Sequence, residues 1–396
     1  MSPKTTITPL PPRHPPSYTT PPSHHITNYA NIPTSFINPW PSYRHTSPTQ
    51  ALQKRWFSTS RNFVPVPKDP SHLVPVQTPS FPNPSSPSAP ANELRATWIG
   101  HASFLLQFRS FNILLDPVFS QRVGPYNLLG PTRFTALPCT VDDLPDIDAV
   151  LISHDHYDHL DAPTLQKLEA RKPGTIRYLC GLGLGKVLLG LGAGIREGQV
   201  REMDWWDGVR RVEGGIEFIC TPAQHRSGRV PWAFESTLWC SWIVSAPTPP
   251  SSSISATTPA SQTKRLFFAG DTGYCAVSSD SQLGHQDAPH PPCPAFKEIG
   301  ELYGPFDLAL LPIGCFKPRA FMAGVHSSPD DSITIHKDIK SKKSIGMHYG
   351  TFRGNISAQY EPVTEPPERW EKVAQAEGLE WGKEVGLCDI GQTVVV

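Results

Sequence analysis

The chain has 396 residues and 35 basic against 35 acidic side chains, but residues 1–68 carry seven Lys or Arg and no acid, leaving all 35 carboxylates beyond them against 28 basic residues. Of 45 prolines, 21 fall in the first 90 residues, where missing amide donors and scarce large apolar side chains exclude a packed domain; the roughly 300 residues that follow suffice for one large α/β domain. Eight scattered cysteines without C-x-x-C spacing exclude a disulfide framework and a thiolate zinc site, no apolar run reaches the roughly 18 residues of a membrane span, and the acidic body argues against nucleic acid.

In chain order, residues 1–92 read as a disordered Pro-rich leader. Within it Lys54–Arg61 is basic, hydroxyl-rich and acid-free, with Arg55 two residues before Phe57. It resembles a mitochondrial presequence occupying residues 1–57. Order is expected from residue 93. Arg95–Phe108 and Ser110–Phe119 are apolar, aromatic and β-branched runs parted by a short polar turn, and they predict paired strands. The short apolar run Ile147–Ser153 predicts a buried strand. A helix should start at Asp161 as N-cap, with Pro163 in its first turn and Leu165 and Leu168 on one face. Tyr178–Ile195 reads as a strand, a Gly-rich turn and a short buried helix. Further strands fit Gly215–Cys220, Leu238–Val244, Arg265–Ala269 and Leu308–Pro312. Helices are predicted from Ser328-Pro329-Asp330-Asp331 and over Pro367–Glu377, the latter stopped by Gly378. Residues 246–263 and 278–294 read as inserted mobile surface loops.

The most informative residues are His154-Asp155-His156-Tyr157-Asp158-His159, directly beyond the buried strand. A loop at a strand's carboxyl end is where open α/β architectures place ligands. Imidazole nitrogen and carboxylate oxygen are donors that zinc and similar divalent ions accept. One ion needs about four donors, and six consecutive residues cannot all wrap it, so partners must come from elsewhere. His225, Asp271 and His348 each stand just beyond a run that reads as a strand. With them, seven ligands suffice for two ions sharing one carboxylate and activating a water between them. His101 reads as a satisfied strand residue, His285 and His290 as solvated, and His336 as helix packing. Asp116 fits either a partner of a metal-bound His or a strand-end turn. Trp205 and Trp206 fit core or lipid contact equally.

The ligand pattern, with its Asp in Gly270–Tyr274, resembles the metallo-β-lactamase superfamily. More narrowly, Trp98–His101, Leu115–Pro117, Ser153–Asp161, Asp204–Trp206, Thr221–Arg226, Leu238–Trp242, Gly270–Tyr274 and His348–Phe352 resemble, in order, the N-acylphosphatidylethanolamine-hydrolysing phospholipase D family. The resemblance implies an α/β fold, a four-layer αββα sandwich over residues 93–396, with two Zn2+ per chain at one edge. It implies His154, His156 and His225 on one zinc, Asp158, His159 and His348 on the other, and Asp271 bridging them. It places Tyr157 and His326 against the substrate, with Asp271 and His326 catalytic.

The implied reaction converts N-acylphosphatidylethanolamine to N-acylethanolamine and phosphatidic acid at a peripheral membrane surface. Phe316, Phe321 and Met322 are the expected apolar contacts, and a homodimer is compatible. The leader makes the expected location mitochondrial, inner-membrane-associated, with a cytoplasmic peripheral protein as the alternative. Phe234–Thr237, and Tyr349 where the family has Trp, depart from the family pattern. They leave a lactonase or sugar-phosphate hydrolase as the second reading and a non-catalytic lipid-binding protein as the third.

Overall fold

The structure is a computed structural model that describes residues 6–45, 49, 50, 53, 56, 65–82, 93–108, 110–211, 215–229, 233–246, 263–286, 288–354 and 356–396. The expected presequence segment Lys54–Arg61, save Trp56, and the interior of the insertion 246–263 lie outside the described residues. The leader contributes three short strands, β1 (Ile7–Pro9), β2 (His25–Thr27) and β3 (Pro33–Phe36). β4 (Leu94–Gly100), β5 (Ser103–Phe108) and β6 (Phe111–Leu115) are antiparallel neighbours. The run predicted as one strand over Arg95–Phe108 is therefore two. Gly100 (φ +109°) and His101 (φ +55°) reverse the chain inside it, and only the glycine is at ease there.

β7 (Ala149–Leu151), β8 (Arg177–Gly181) and β9 (Val200–Met203) extend this sheet in parallel. A second sheet holds β10 (Gly208–Arg211), β11 (Glu217–Thr221), β12 (Ser241–Ala246), β13 (Lys264–Phe268), β14 (Leu308–Pro312), β15 (Ser344–Met347) and β16 (Val385–Gly386), with β1 on its outer edge. β17 (Thr393–Val395) returns to pair with β4 in the first sheet.

The period of two along each strand sorts the cores. Phe104, Leu106, Leu115 and Leu151 join the main core with Trp98, Trp239 and Trp242. The intervening Leu105, Leu114 and Val150 face a second core with Leu165 and Leu168 of α1 (Ala162–Arg171) and Leu184 and Leu188 of α2 (Leu184–Gly190). Behind the other sheet α3 (Ala295–Leu302), α5 (Pro329–Asp338) and α6 (Glu365–Ala376) bury Phe296, Ile333 and Trp370, while α4 (Arg319–Met322) is one turn. The result is the expected four-layer αββα sandwich. α5 starts where predicted: Ser328 Oγ accepts from Asp331 N at 3.2 Å, and the Asp331 carboxylate accepts from Ser328 N at 3.1 Å.

Three expectations change. Residues 6–45 form no domain of their own, yet they are not a disordered leader. β1 pairs with β10, Phe36 N donates to Glu235 O at 2.9 Å, and Trp40 stacks on Trp205 at 5.3 Å. A Pro-rich segment with few amide donors thus borrows its partners from the body, and the folded unit does not begin at residue 93. Second, the segment 278–294 is no loose loop: Leu283 O accepts from Ser328 Oγ at 2.5 Å, Cys293 is buried, and His285 and His290 are half-buried. Third, Phe316, Phe321 and Met322 are 0%, 7% and 7% exposed, so they cannot meet a lipid surface; Trp205 and Trp206 are likewise core.

Candidate metal centre

The ligand loop leaves β7 and is fixed by hydrogen bonds to Asp116. Asp116, just past β6, accepts from Ser153 N at 2.7 Å and Ser153 Oγ at 2.5 Å, and takes the Nδ1–H of His159 at 2.7 Å. That bond turns His159 Nε2 inward. Ser153 Oγ also lies 2.9 Å from His154 Nδ1. Gly270 (φ +60°) follows β13 directly against this loop, where a Cβ would sit 2.7 Å from that of Ser153. The close approach brings in the next residue, Asp271.

Two clusters result, the ligand atoms of each lying within 4.8 Å of one another. One joins His154, His156, His225 and Asp271; the other joins Asp158, His159 and His348 with His101. Asp271 Oδ2 is 3.9 Å from His154 Nε2, 3.7 Å from His225 Nε2 and 3.3 Å from His159 Nε2, and its Oδ1 is 2.9 Å from His348 Nε2. The carboxylate therefore stands between the clusters. His326 Nδ1 is 3.9 Å from Asp271 Oδ2 on the partly open side. Tyr157 is half-buried against Val118, Val123 and Phe352, with the Arg229 guanidinium 4.4 Å from its ring.

The donor set fits divalent metal. Asp271 Oδ1 is buried without a hydrogen bond, as are His326 Nδ1 and His348 Nδ1. Burial, the largest cause, lowers His225 to about 3 and His156 to about 4, and holds His154 and His326 well below the imidazole range. Neutral imidazole is the form that ligates. His159 moves the other way: burial opposes it, but Asp271 and Asp116 raise it well above its usual value. Burial also opposes Asp271, which His159 and His348 nevertheless hold well below the carboxylate range.

All seven residues expected as ligands converge, with His326 beside them. Asp116 meets both its readings in geometry, bonding the candidate ligand His159 and turning the chain at the end of β6 (φ +39°), and His336 packs against Ser344 Oγ at 2.8 Å, as expected. His101 does not remain a bland strand residue. It sits in the β4–β5 turn with Nε2 3.0 Å from Asp158 Oδ2, and burial lowers it to about 3. Sequence reading also misses Asn38, whose Nδ2 donates to His225 O at 2.7 Å, and Ser42, whose Oγ donates to Gln224 Oε1 at 2.5 Å. Gly100 before His101 is the one signal that marks the turn; Asn38 has none.

A small open cleft of about 60 Å³ adjoins the centre, lined by His101, Asp158, His348, Phe134, Phe352 and Cys315. Near its rim the loop Gly124–Gly130 projects Tyr126, Leu128 and Leu129, which are 91%, 75% and 67% exposed.

Comparison with known proteins agrees with this geometry. A model of the Beta-lactamase superfamily domain matches residues 111–349. The N-acyl-phosphatidylethanolamine-hydrolyzing phospholipase D 1 of Caenorhabditis elegans is 34% identical over 286 residues, 72% of this chain and 70% of that protein. The Saccharomyces cerevisiae protein named N-acyl-phosphatidylethanolamine-hydrolyzing phospholipase D, mitochondrial, is 29% identical over 310 residues, 75% of this chain and 55% of its own length. Among solved structures, an isothiocyanate hydrolase from Delia radicum gut bacteria superposes with a TM-score of 0.51 at 16% identity, over 76% of this chain and 98% of the other, a likeness of fold alone.

Proposed function

The chain belongs to the beta-lactamase superfamily and, within it, to the N-acylphosphatidylethanolamine-hydrolysing phospholipase D family, and from that premise we propose that this metal-dependent hydrolase cleaves N-acylphosphatidylethanolamine into N-acylethanolamine and phosphatidic acid with two zinc ions bound. The observation that carries the reading is the placement of Asp271, with one carboxylate oxygen toward His154, His225 and His159 and the other toward His348. His154, His156 and His225 would hold one ion, Asp158, His159 and His348 the other, and Asp271 both. When bound, such a pair lowers the pKa of water and offsets charge on phosphoryl oxygens.

The chain's own residues do the rest. Asp116 and the Val325 carbonyl, 2.8 Å from His225 Nδ1, fix ring orientation and leave each Nε2 for the centre. His326, kept neutral by burial, offers one N–H and one lone pair. It can hold a phosphoryl oxygen or orient the water that protonates the leaving alkoxide. Tyr157, inside the ligand loop with the Arg229 guanidinium 4.4 Å from its ring, would meet the headgroup. The bilayer contact passes from the buried Phe316, Phe321 and Met322 to the exposed Tyr126, Leu128 and Leu129. The yeast relative's name and the basic Lys54–Arg61 segment support a mitochondrial location.

The test is turnover of a labelled N-acylphosphatidylethanolamine by the zinc-loaded full chain. Equimolar N-acylethanolamine and phosphatidic acid are expected, and Asp271→Asn should reduce the rate at least about 10³-fold. Lactone hydrolysis without N-acylethanolamine release would replace this reading with the lactonase alternative.

A further inference from the structure

A second group of potential ligands lies away from the cleft, where the leader meets the body. His24 and His25 flank the start of β2 and converge on Asp204, which follows β9. His24 Nε2 is 2.8 Å from Asp204 Oδ1 and His25 Nε2 is 2.9 Å from Asp204 Oδ2. The three ligand atoms lie within 4.8 Å of one another. The side chains of His24, His25 and Asp204 are 4%, 9% and 19% exposed.

Two features go beyond an ordinary His–Asp contact. First, His25 Nε2 is buried and makes no hydrogen bond of acceptable geometry despite its closeness to the carboxylate. A buried polar nitrogen without a partner calls for an unseen one. Second, the rings are held in place from behind: His24 stacks on Trp205 at 4.1 Å, and His25 meets Phe36 edge-on at 5.6 Å. Trp205 N donates to Asp204 Oδ1 at 2.8 Å, and the Asp207 carboxylate accepts from Asp204 N at 2.9 Å. The Asp204 carboxylate is thus fixed in place between the two imidazoles.

We propose that His24, His25 and Asp204 form a metal site separate from the catalytic centre, which takes one divalent cation of the zinc class, with water in the fourth position, and fastens the leader to the body. Two imidazole nitrogens and a carboxylate oxygen at about 2.0–2.2 Å from an ion are an ordinary zinc set, and an ion between them relieves the unpartnered nitrogen. Because two ligands come from the leader and one from the body, binding free energy becomes docking free energy. The site does not depend on what the catalytic centre hydrolyses.

The full chain, stripped with chelator and back-titrated with Zn2+, should retain one more zinc per molecule than His25→Asn or Asp204→Asn, whatever the total. Free zinc at ten times the site's Kd should slow tryptic release of the leader about tenfold in the parent chain and in neither variant. Equal zinc content in the parent and in folded His25→Asn overturns the proposal. Should Asp204→Asn fail to fold by circular dichroism, His25→Asn decides alone. If both variants fail, the parent's leader decides: slower tryptic release with Zn2+ than after chelation supports the proposal, and equal release overturns it.

Discussion

At Asp116 one buried carboxylate serves three bonds, and its worth to the centre lies in the His159 tautomer it imposes. Asp116→Asn keeps the shape but offers an amide where His159 needs an acceptor. Zinc affinity should fall about 10–100-fold, measured by competition with a chromophoric chelator. Glu361 is a different kind of test. It is half-buried, accepts from the backbone N–H of Cys315 and Phe316 at 2.9 and 2.8 Å, and desolvation pushes it up to about 7 from 4.5. Between those values the folded chain holds a proton that the unfolded chain releases, so this group makes stability fall as pH rises from about 4.5 to about 7. Urea melts across that window should show the slope, at most about 3 kcal/mol in all, reduced in Glu361→Gln. The seven candidate ligand positions are legible because a metal demands donor side chains at strand ends, a local signal. His101 is not, because its turn hides inside an apolar run. Asn38 is not, because nothing local ties it to a residue 187 positions away.

Among elements, those made by local chemistry match their expected bounds. β14 spans Leu308–Pro312 as predicted, and α5 opens at its Ser-Pro-Asp-Asp signal. β12 starts three residues later than the expected Leu238. Leu238 N donates to Leu182 O and Cys240 N to Ser153 O, so these residues cross to the other sheet before pairing begins. Their apolar character is that of a strand, but their partners are tertiary. The N-terminus of α5 also carries a buried ion pair, Arg319 Nη2 to Asp331 Oδ2 at 2.7 Å, with both side chains 0% exposed. Asp331→Ala removes the carboxylate half of the capping box, leaving the Ser328 cap, and strands the guanidinium. A loss of about 3–5 kcal/mol is expected in urea unfolding, well beyond that of a surface cap.

For the whole molecule, the leader decides more than its composition suggests. Deleting residues 1–45 would strip β1 from β10, uncover Trp205 and free the His225 backbone from Asn38. A lower Tm by differential scanning fluorimetry and aggregation are expected, because the freed β10 edge can pair with other chains and lacks a proline such as Pro9 of β1. Membrane contact is tested separately. Replacing Leu128 and Leu129 by Ser should reduce sedimentation with phospholipid vesicles about tenfold or more and leave turnover of micellar substrate intact.

β1 pairs with residues about 200 positions later, Thr8 opposite Arg210. A ribosome adding about 5–20 residues each second needs roughly 10–40 s to make that partner strand. Throughout that interval the leader has nothing to dock on, and afterwards residues 6–45 are taken up by the fold. Any receptor that reads the leader therefore races against the chain's own folding.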